Sequence, residues 1–248
     1  MIAFSGTAAT RRFDRAAADY DDLASVQKQI ADALTAWAAK TCPAPLDVLD
    51  LGCGTGFVAE AVHKIWPSTQ VTAVDASAAM LENARRKIPN ARFIQADAAA
   101  LDIEQKFDLV FSSMMLHWLP DPREALRRWR AFLKPDGRMY VALLTDGSFQ
   151  EWRDLCRTEN PTDGLWDFPR IDFANDFAAE SKRQSIIINY ASAHDFLKRL
   201  KLIGATTPRP EHRPFSAATM RRLMTQAPRP FPVTYQVLYL TMQFLGKV

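Results

Sequence analysis

An acidic residue and three glycines alternate with other residues in one short stretch, as Asp50, Gly52, Gly54 and Gly56. Glycine permits the positive φ angles of tight loops and lets the backbone come close to a ligand. Residues 57–62, which follow, favour a helix, whose first N–H groups have no partner within the helix and can bind an anionic group. The spacing therefore predicts a loop whose backbone binds a ligand that carries a negative charge.

The spacing of these glycines distinguishes two kinds of cofactor. The dinucleotide-binding fingerprint has its third glycine five residues after the first, where this chain has Phe57. The Asp-x-Gly-x-Gly-x-Gly pattern instead resembles motif I of the class I S-adenosylmethionine (SAM) methyltransferases, in which the loop surrounds the methionine end of SAM. A glycine loop alone is also compatible with a simple tight turn. The residues that follow the next strands are therefore needed to distinguish a SAM-binding loop from such a turn.

Two aspartates follow the next two predicted strands. Asp75 closes the second strand, where a carboxylate can accept hydrogen bonds from both ribose hydroxyls, with Ala76 and Met80 packing on the adenine. Asp97 follows the third strand and is placed to accept from the adenine amino group. Each aspartate alone is more often a helix cap or turn residue, but together they indicate a SAM site. The predicted cofactor-binding residues are Asp50, Gly52, Cys53, Gly54, Gly56, Asp75, Ala76, Met80, Asp97, Ala98 and Ser113.

Strands and helices alternate regularly between residues 46 and 145, which implies a parallel sheet with right-handed crossovers and a ligand site at the carboxyl ends of the strands. We predict a Rossmann-like α/β fold of the class I SAM methyltransferase type, with a mostly parallel seven-stranded sheet, helices on both faces and a helical cap. The strands are predicted at 48–51, 71–74, 92–95, 107–112, 138–144, 185–190 and 233–244. The helices beyond the fourth strand are predicted at 121–133, 148–157, 172–181, 192–202 and 216–226.

The 248 residues are expected to form a single domain. Within it, a helical N-terminal segment (1–40) would lie over the site and 46–145 would form the SAM-binding core. The cap and substrate region would be 146–232, and 233–248 would supply the final strand.

Composition argues against several other classes of protein. No stretch is long and apolar enough to span a membrane, and the first residues lack the layout of a signal peptide. Cys42, Cys53 and Cys156 form neither a disulfide framework nor a metal-type spacing, and the four histidines are scattered. We therefore expect a cytoplasmic protein without a metal site.

The net charge of +3 conceals an asymmetry along the chain. Residues 1–180 contain 20 Lys and Arg against 26 Asp and Glu, whereas residues 181–248 contain 11 against 2. The basic last quarter could attract an acidic partner over a long range, or could simply be a solvated basic surface.

His117 and Trp118 follow the fourth predicted strand, where the class I enzymes place residues near the transferred methyl group. Because imidazole titrates near neutral pH, His117 could be a catalytic base, or it could only line and orient the site through a hydrogen bond. Trp118 would form a wall of the pocket or part of the core.

A closer resemblance extends over nearly the whole chain. Several segments are similar to the malonyl-acyl-carrier-protein O-methyltransferases of biotin synthesis. These segments are Phe13-Asp14-Arg15-Ala16-Ala17-Ala18-Asp19-Tyr20-Asp21, the His117-Trp118 pair, Gly147-Ser148-Phe149-Gln150-Glu151, Leu200-Lys201-Leu202-Ile203-Gly204-Ala205-Thr206 and Val233-Thr234-Tyr235-Gln236-Val237.

The resemblance implies methylation of the free carboxylate of a malonyl thioester on acyl carrier protein, with SAM as methyl donor. A carboxylate of ordinary pKa is already ionised at pH 7, so this reaction requires no general base. We expect an arginine to hold the carboxylate, with Arg15 as the first candidate and Arg12 as the second. Tyr20 would close over SAM and, like His117, orient the reactants. Because acyl carrier proteins are acidic, the basic residues Arg199, Lys201, Arg209, Arg213, Arg221 and Arg222 would form the docking surface.

Other functions are also compatible with these motifs. A SAM methyltransferase for another small acid, such as trans-aconitate, or for a quinone would share them, and a phenol or carbon nucleophile would need His117 as a base. A complex I assembly factor of related sequence would use the fold on a partner protein without methylating. Nucleic-acid methylation is disfavoured, because no Asn-Pro-Pro-Tyr-type motif follows the fourth strand and the first two thirds of the chain are acidic.

Overall fold

The computed structural model describes residues 6–42, 44–157, 159, 164–165, 167–173, 175, 178–206 and 214–243 of the chain. Its N-terminal part consists of α1 (Gly6–Ala16), α2 (Tyr20–Leu23) and α3 (Ser25–Ala39). The alternating part contains β1 (Asp47–Leu51), α4 (Phe57–Ile65), β2 (Gln70–Asp75), α5 (Ala78–Lys87), β3 (Arg92–Gln95), β4 (Phe107–Ser113), a 3₁₀ turn (Leu116–Trp118), α6 (Pro122–Arg130) and β5 (Leu133–Leu144). The C-terminal part contains α7 (Gln150–Arg157), β6 (Glu180–Tyr190), α8 (Ala193–Leu202), α9 (Ala217–Gln226) and β7 (Phe231–Gln243).

Seven strands form one sheet in the order β3-β2-β1-β4-β5-β7-β6. The neighbours from β3 to β5 are parallel, whereas β7 lies antiparallel between β5 and β6. The predicted mostly parallel seven-stranded sheet is confirmed. Because β1, β2 and β4 are parallel neighbours, the loops after these three strands meet at one edge of the sheet, where ligands bind in folds of this type.

The central strands bury side chains on both faces because helices cover both. On β4, Leu109 and Phe111 belong to the core that contains α3 and α4. The residue between them, Val110, packs instead in the core that contains Leu126 and Trp129 of α6. This double burial explains why the strands of the alternating part are apolar at successive positions.

Side chains of α1 and α2 attach the N-terminal part to the glycine loop and to α5. Asp14 accepts a hydrogen bond from the Ser77 hydroxyl at 2.5 Å, and Asp21 accepts one from the Thr55 hydroxyl at 2.5 Å. Asp21 also forms an ion pair with Lys87 of α5. These contacts hold the N-terminal helices beside the carboxyl ends of β1 and β2.

Aromatic side chains join α7 and α8 to the last two strands. The ring of Phe149 lies 5.4 Å from Phe196 and 4.9 Å from Tyr235, measured between centroids. Phe196 also contacts Tyr190 at 5.4 Å and Phe231 at 6.2 Å. All five side chains are buried and belong to the same core as the inner faces of α3 and α4.

The helix predicted at 172–181 is wrong. The described residues 172, 173 and 175 form turns, and β6 begins at Glu180. β6 pairs with β7 from Glu180–Thr241 to Tyr190–Phe231, so strand pairing outweighs the helix preference of this alanine-rich stretch. The fifth strand begins before its predicted start, at Leu133, and Asp136 within it has a φ of 63°.

Candidate active site

A cavity of about 790 Å³ lies at the carboxyl ends of the parallel strands. It extends from the glycine loop to residues of the C-terminal part, between the N-terminal helices and the residues that follow β4. Ten of the predicted cofactor-binding residues line it: Asp50, Gly52, Cys53, Gly54, Asp75, Ala76, Met80, Asp97, Ala98 and Ser113. The remaining one, Gly56, lies behind the loop as the N-cap of α4.

Two glycines of the loop have different physical reasons for lacking a side chain. Gly52 has a φ of 71°, and a Cβ there would lie 2.4 Å from the Cγ of Met115. Gly54 has a φ of 54°, and a Cβ there would meet no atom within 4 Å. Position 52 therefore requires glycine because a side chain there would clash with Met115. At Gly54, by contrast, the open space is part of the cavity, where a ligand would bind.

Backbone donors of the loop and of α5 orient the carboxylate of Asp75. Oδ2 accepts from the Gly54 amide at 2.8 Å, and Oδ1 accepts from the Ser77 amide at 2.8 Å. Burial raises the pKa of Asp75, although these two hydrogen bonds oppose the shift. Each oxygen keeps a further lone pair for a ligand hydroxyl. The exposed Asp97 uses Oδ1 for the Ala99 amide at 2.8 Å.

Asp50 lies at the centre of the site and is almost completely buried, with 1% of its surface exposed. Neither carboxylate oxygen has a hydrogen-bond partner among the described residues. Burial, reinforced by the nearby charge of Asp75, raises the pKa of Asp50 to about 8. In the free protein at neutral pH this carboxyl group is therefore mainly protonated.

Tyr20 of α2 lines the cavity on the side of the N-terminal helices. The centroid of its ring lies 6.1 Å from that of Phe57. Its hydroxyl is close enough to Asp75 and Asp21 for their negative charges to affect its pKa. Burial, with these two carboxylates, raises the pKa of Tyr20 above its ordinary value. The phenol therefore stays protonated at neutral pH and is available as a hydrogen-bond donor.

His117 lines the cavity after β4, and its Nδ1 accepts a hydrogen bond from the Leu144 amide at 3.5 Å. Because Nδ1 is the acceptor, the neutral imidazole carries its proton on Nε2. Burial lowers the pKa of His117 to about 3, so the ring is neutral at physiological pH and is a very weak base. Phe168 and Trp118 contact the ring at centroid distances of 5.6 and 5.4 Å.

The arginines predicted to hold the substrate carboxylate do not line the cavity. Arg15 is exposed on α1, and Arg12 donates a hydrogen bond to the carbonyl of Thr206. Neither of the two predicted arginines is therefore among the residues that surround the cavity. Arg11 is the one arginine among the described residues that line the cavity. Arg12 lies on another face of α1, whereas Arg15 lies one turn from Arg11 on the same face. The rotation of α1 and its position along its axis together decide which arginine reaches the cavity, and the motif alone contains neither.

Sequence reasoning also missed several aromatic lining residues. Phe13, Phe149, Phe168 and Tyr235 line the cavity, and Phe13 contacts the predicted site residue Trp118 at 5.8 Å. Three of them fall within segments that carried the family resemblance, which was the available signal. Phe168 has no such signal, because a lone aromatic residue in a loop does not reveal what it contacts.

The described part of the chain contains no group of three or more His, Cys, Asp or Glu side chains that could hold a metal ion. It also contains no helix with the length and apolar character needed to cross a membrane. Within that part of the chain, Cys42, Cys53 and Cys156 form no disulfide bond.

Comparison with known proteins identifies the family. Residues 48–137 match the model of a methyltransferase domain. A malonyl-[acyl-carrier protein] O-methyltransferase from Magnetococcus marinus is 35% identical over 92% of this chain and 89% of its own length. One from Hahella chejuensis is 33% identical over 85% of this chain and 78% of its own length. The chain belongs to the malonyl-[acyl-carrier protein] O-methyltransferase family. The predicted family and methyl donor, SAM, are confirmed.

A longer relative and a solved structure are also similar to this chain. The bifunctional biotin biosynthesis protein BioCD of Bordetella avium is 31% identical over 92% of this chain, which matches 50% of that longer protein. Among solved structures, the YcgJ protein of Bacillus subtilis has a TM-score of 0.61 at 21% identity, covering 88% of this chain and 99% of that one. The structural similarity supports the fold.

The cavity residues have the chemistry that SAM requires. The loop leaves open space over Gly54, the carboxylate of Asp75 keeps free lone pairs, and Asp50 has two unpartnered oxygens beside this space. A cation beside Asp50 would compensate its burial, since a buried carboxylate is stable in the ionised form when it is paired. The sulfonium and ammonium groups of SAM provide such a cation.

We predict that SAM affinity increases with pH because of Asp50. In the free protein Asp50 holds its proton up to about pH 8. A bound cation favours the carboxylate, so binding should release this proton, and affinity should rise by up to about tenfold per pH unit between about pH 5.5 and 7. Titration calorimetry in buffers of different ionisation enthalpy would measure both quantities. Asp50→Asn should remove the pH dependence, and a pH-independent affinity in the wild-type protein would contradict the prediction.

Proposed function

We propose that the protein transfers the methyl group of SAM to the free carboxylate of a malonyl thioester on acyl carrier protein, an early step of biotin biosynthesis. The observation that carries the proposal is the similarity to malonyl-[acyl-carrier protein] O-methyltransferases, which extends along 92% of the chain at 35% identity. It therefore extends well beyond the SAM-binding core.

The weak basicity of His117 also supports a carboxylate as methyl acceptor. A carboxylate is ionised at neutral pH and needs no proton removed, whereas a phenol or a carbon acid does. An imidazole with a pKa of about 3 would be a poor base for that purpose. Quinone methylation, which would depend on His117 as a base, is correspondingly disfavoured.

The glycine loop and the acidic residues near it would hold SAM, which supplies an electrophilic methyl group on its sulfonium. Asp75 would accept from the ribose hydroxyls and Asp97 from the adenine amino group, with the buried Met80 packing on the adenine. Asp50 would offset the positive charge of the methionine end. Tyr20 would donate a hydrogen bond across the site and exclude water from it.

The residues around the acceptor would work by orientation. Arg11 is our candidate for holding the substrate carboxylate, and the Nε2–H of His117 would donate a hydrogen bond to a substrate oxygen. Trp118 and Phe168 would exclude water beside it. Holding the carboxylate oxygen in line with the methyl–sulfur bond can supply on the order of 7–11 kcal/mol of the barrier.

The reaction is tested by methyl transfer from labelled SAM to malonyl-acyl-carrier protein, with malonyl-CoA and trans-aconitate in parallel. We expect label transfer that depends on the malonyl thioester and gives a labelled methyl ester as product. Labelling of trans-aconitate alone would identify a different small acid as the methyl acceptor. A protein that binds SAM, labels none of the three and forms a stable complex with another protein would support a non-methylating role and contradict the proposal.

We predict that Arg11→Ala raises the KM for the malonyl thioester by at least about tenfold, because a charge-assisted hydrogen bond to the carboxylate is lost. SAM affinity, measured separately by calorimetry, should stay within about twofold of the wild type. Arg15→Ala removes the same charge one turn along α1, outside the cavity, and serves as the matched control. Equal effects of the two substitutions would contradict a specific role for Arg11.

We further propose that the acidic carrier protein docks on the outer side of α8. Leu200 of this helix and Ile203, just after it, line the cavity, while Lys198 and Lys201 are exposed. A carrier bound to these lysines would have its thioester arm close to the cavity, and opposite charges would steer its approach.

The structure modifies the predicted set of docking residues. Arg222 of α9 is engaged by Glu159, with contacts at 3.0 and 2.6 Å, so its charge is partly neutralised. Arg199 is only half-buried and Arg221 is exposed, so both remain candidates. The predicted docking residues Arg209 and Arg213 lie outside the described residues.

We predict that replacing Lys198 and Lys201 together by glutamate raises the KM for malonyl-acyl-carrier protein by at least about tenfold at low salt and leaves malonyl-CoA methylation within about twofold. Lys106→Glu is the control, because Lys106 is exposed just before β4, at the edge of the sheet opposite the cavity. A wild-type KM for the carrier that does not increase with salt concentration would contradict electrostatic docking.

A further inference from the structure

One part of the cavity is lined by residues of the C-terminal part of the chain. Phe149, Phe168, Leu200 and Ile203 line this part, together with Tyr235 of β7. The surface is apolar except for the hydroxyl of Tyr235. Neither the binding of SAM nor that of the substrate carboxylate requires a phenol at this position.

The hydroxyl of Tyr235 is paired with that of Tyr190 on the neighbouring strand. The two oxygens are 2.6 Å apart, and both side chains are buried, with 3% and 7% of their surfaces exposed. Two hydroxyl groups have two protons, and their mutual hydrogen bond uses one of them. Within the described part of the chain, no acceptor is hydrogen-bonded to the other proton.

The geometry indicates which hydroxyl has the spare proton when a ligand is present. Tyr235 lines the cavity and Tyr190 does not. If Tyr190 donates to Tyr235, the proton of Tyr235 can be directed into the cavity towards a ligand acceptor. The opposite arrangement would leave the proton of Tyr190 unpaired inside the protein, at the cost of an unsatisfied buried donor.

The surrounding rings hold Tyr235 in this orientation. Phe149 packs edge-on against Tyr235 at 4.9 Å, and Phe196 contacts both Phe149 and Tyr190 at 5.4 Å. Neither phenol can rotate away without disrupting this cluster. The pair is therefore a preorganised donor in an apolar wall, an arrangement that gives specificity to small-molecule sites.

We propose that the Tyr190–Tyr235 pair forms a subsite that recognises an amide carbonyl of the thioester arm of the substrate, with Tyr235 as the donor and Tyr190 as its positioning residue. This inference rests on the proposed function, because it assigns another part of the same cavity. A neutral donor among apolar side chains suits a neutral carbonyl next to methylene groups. It does not suit a carboxylate, which needs a charged partner when it is buried.

A chain of ring contacts separates this subsite from the reaction site. His117 contacts Phe168 at 5.6 Å, Phe168 contacts Phe149 at 5.5 Å, and Phe149 contacts Tyr235. A substrate whose carboxylate is near His117 would extend along this wall towards Tyr235. The thioester arm of an acyl carrier or coenzyme contains secondary amides a few bonds from the sulfur, so it can supply the carbonyl.

The experiment compares Tyr235→Phe with the wild-type enzyme on two substrates. Malonyl-pantetheine contains the amides, whereas malonyl ethyl thioester ends just after the sulfur. We expect Tyr235→Phe to lower kcat/KM for malonyl-pantetheine by roughly five- to tenfold and to change that for the ethyl thioester by less than about twofold. Equal losses on both substrates, or no loss on either, would overturn the proposal.

Two further variants separate recognition from stability. Tyr190→Phe keeps the donor but removes its positioning partner, so it should lower kcat/KM for malonyl-pantetheine, mainly through KM, and spare the ethyl thioester. Tyr239→Phe removes another largely buried phenol of β7, whose hydroxyl donates to Gln184 at 2.8 Å and does not line the cavity. It should leave both substrates unaffected, and a pantetheine-selective loss in this variant would overturn the assignment.

A binding measurement distinguishes failure of the subsite from failure of the proposed reaction. Acetyl-pantetheine has the amides but no carboxylate to methylate, and its affinity in the presence of S-adenosylhomocysteine can be measured by calorimetry. Weaker binding to Tyr235→Phe would support the subsite even if malonyl thioesters were not methylated. Equal binding to both proteins would overturn the subsite even if the malonyl thioesters were methylated.

Discussion

The close contact between Gly52 and Met115 determines how the loop after β1 meets the segment after β4. A Cβ on Gly52 would lie 2.4 Å from the Met115 side chain, so the two segments can pack only if this residue is glycine. The loop then turns so that the Gly54 amide bonds Asp75 at the end of β2. One steric constraint thus brings together the ends of three parallel strands and shapes the cavity between them.

The N-terminal helices form part of the site and are attached to it by charged side chains. Asp14 and Asp21 bond hydroxyl groups next to the cavity, on Ser77 and Thr55. These bonds place Tyr20 beside Asp75, so attachment and active-site geometry depend on the same short segment. Sequence similarity that includes this segment is therefore more informative than similarity in the SAM-binding core.

Burial separates the roles of the ionisable groups in the cavity. Asp50 and His117 are both buried, yet burial makes each of them neutral, because it disfavours the charged form of an acid and of a base alike. A neutral His117 suits a reaction that requires orientation without proton removal. A neutral Asp50 can become charged when a cation binds. The protonation state of Asp50 is therefore coupled to binding of the cofactor and not to binding of the methyl acceptor.

The sequence by itself determined the parallel core, its glycine loop and the positions of Asp75 and Asp97. These features depend on local spacing and on the rule that loops after parallel strands meet at one edge. Only the tertiary structure decided that Arg11, and not Arg15, lines the cavity, because the two lie one turn apart on the same face of α1 and the position of the helix along its axis decides which one reaches the cavity. Long-range packing likewise decided that residues 180–184 extend the strand predicted at 185–190, and that phenols 45 residues apart share a hydrogen bond.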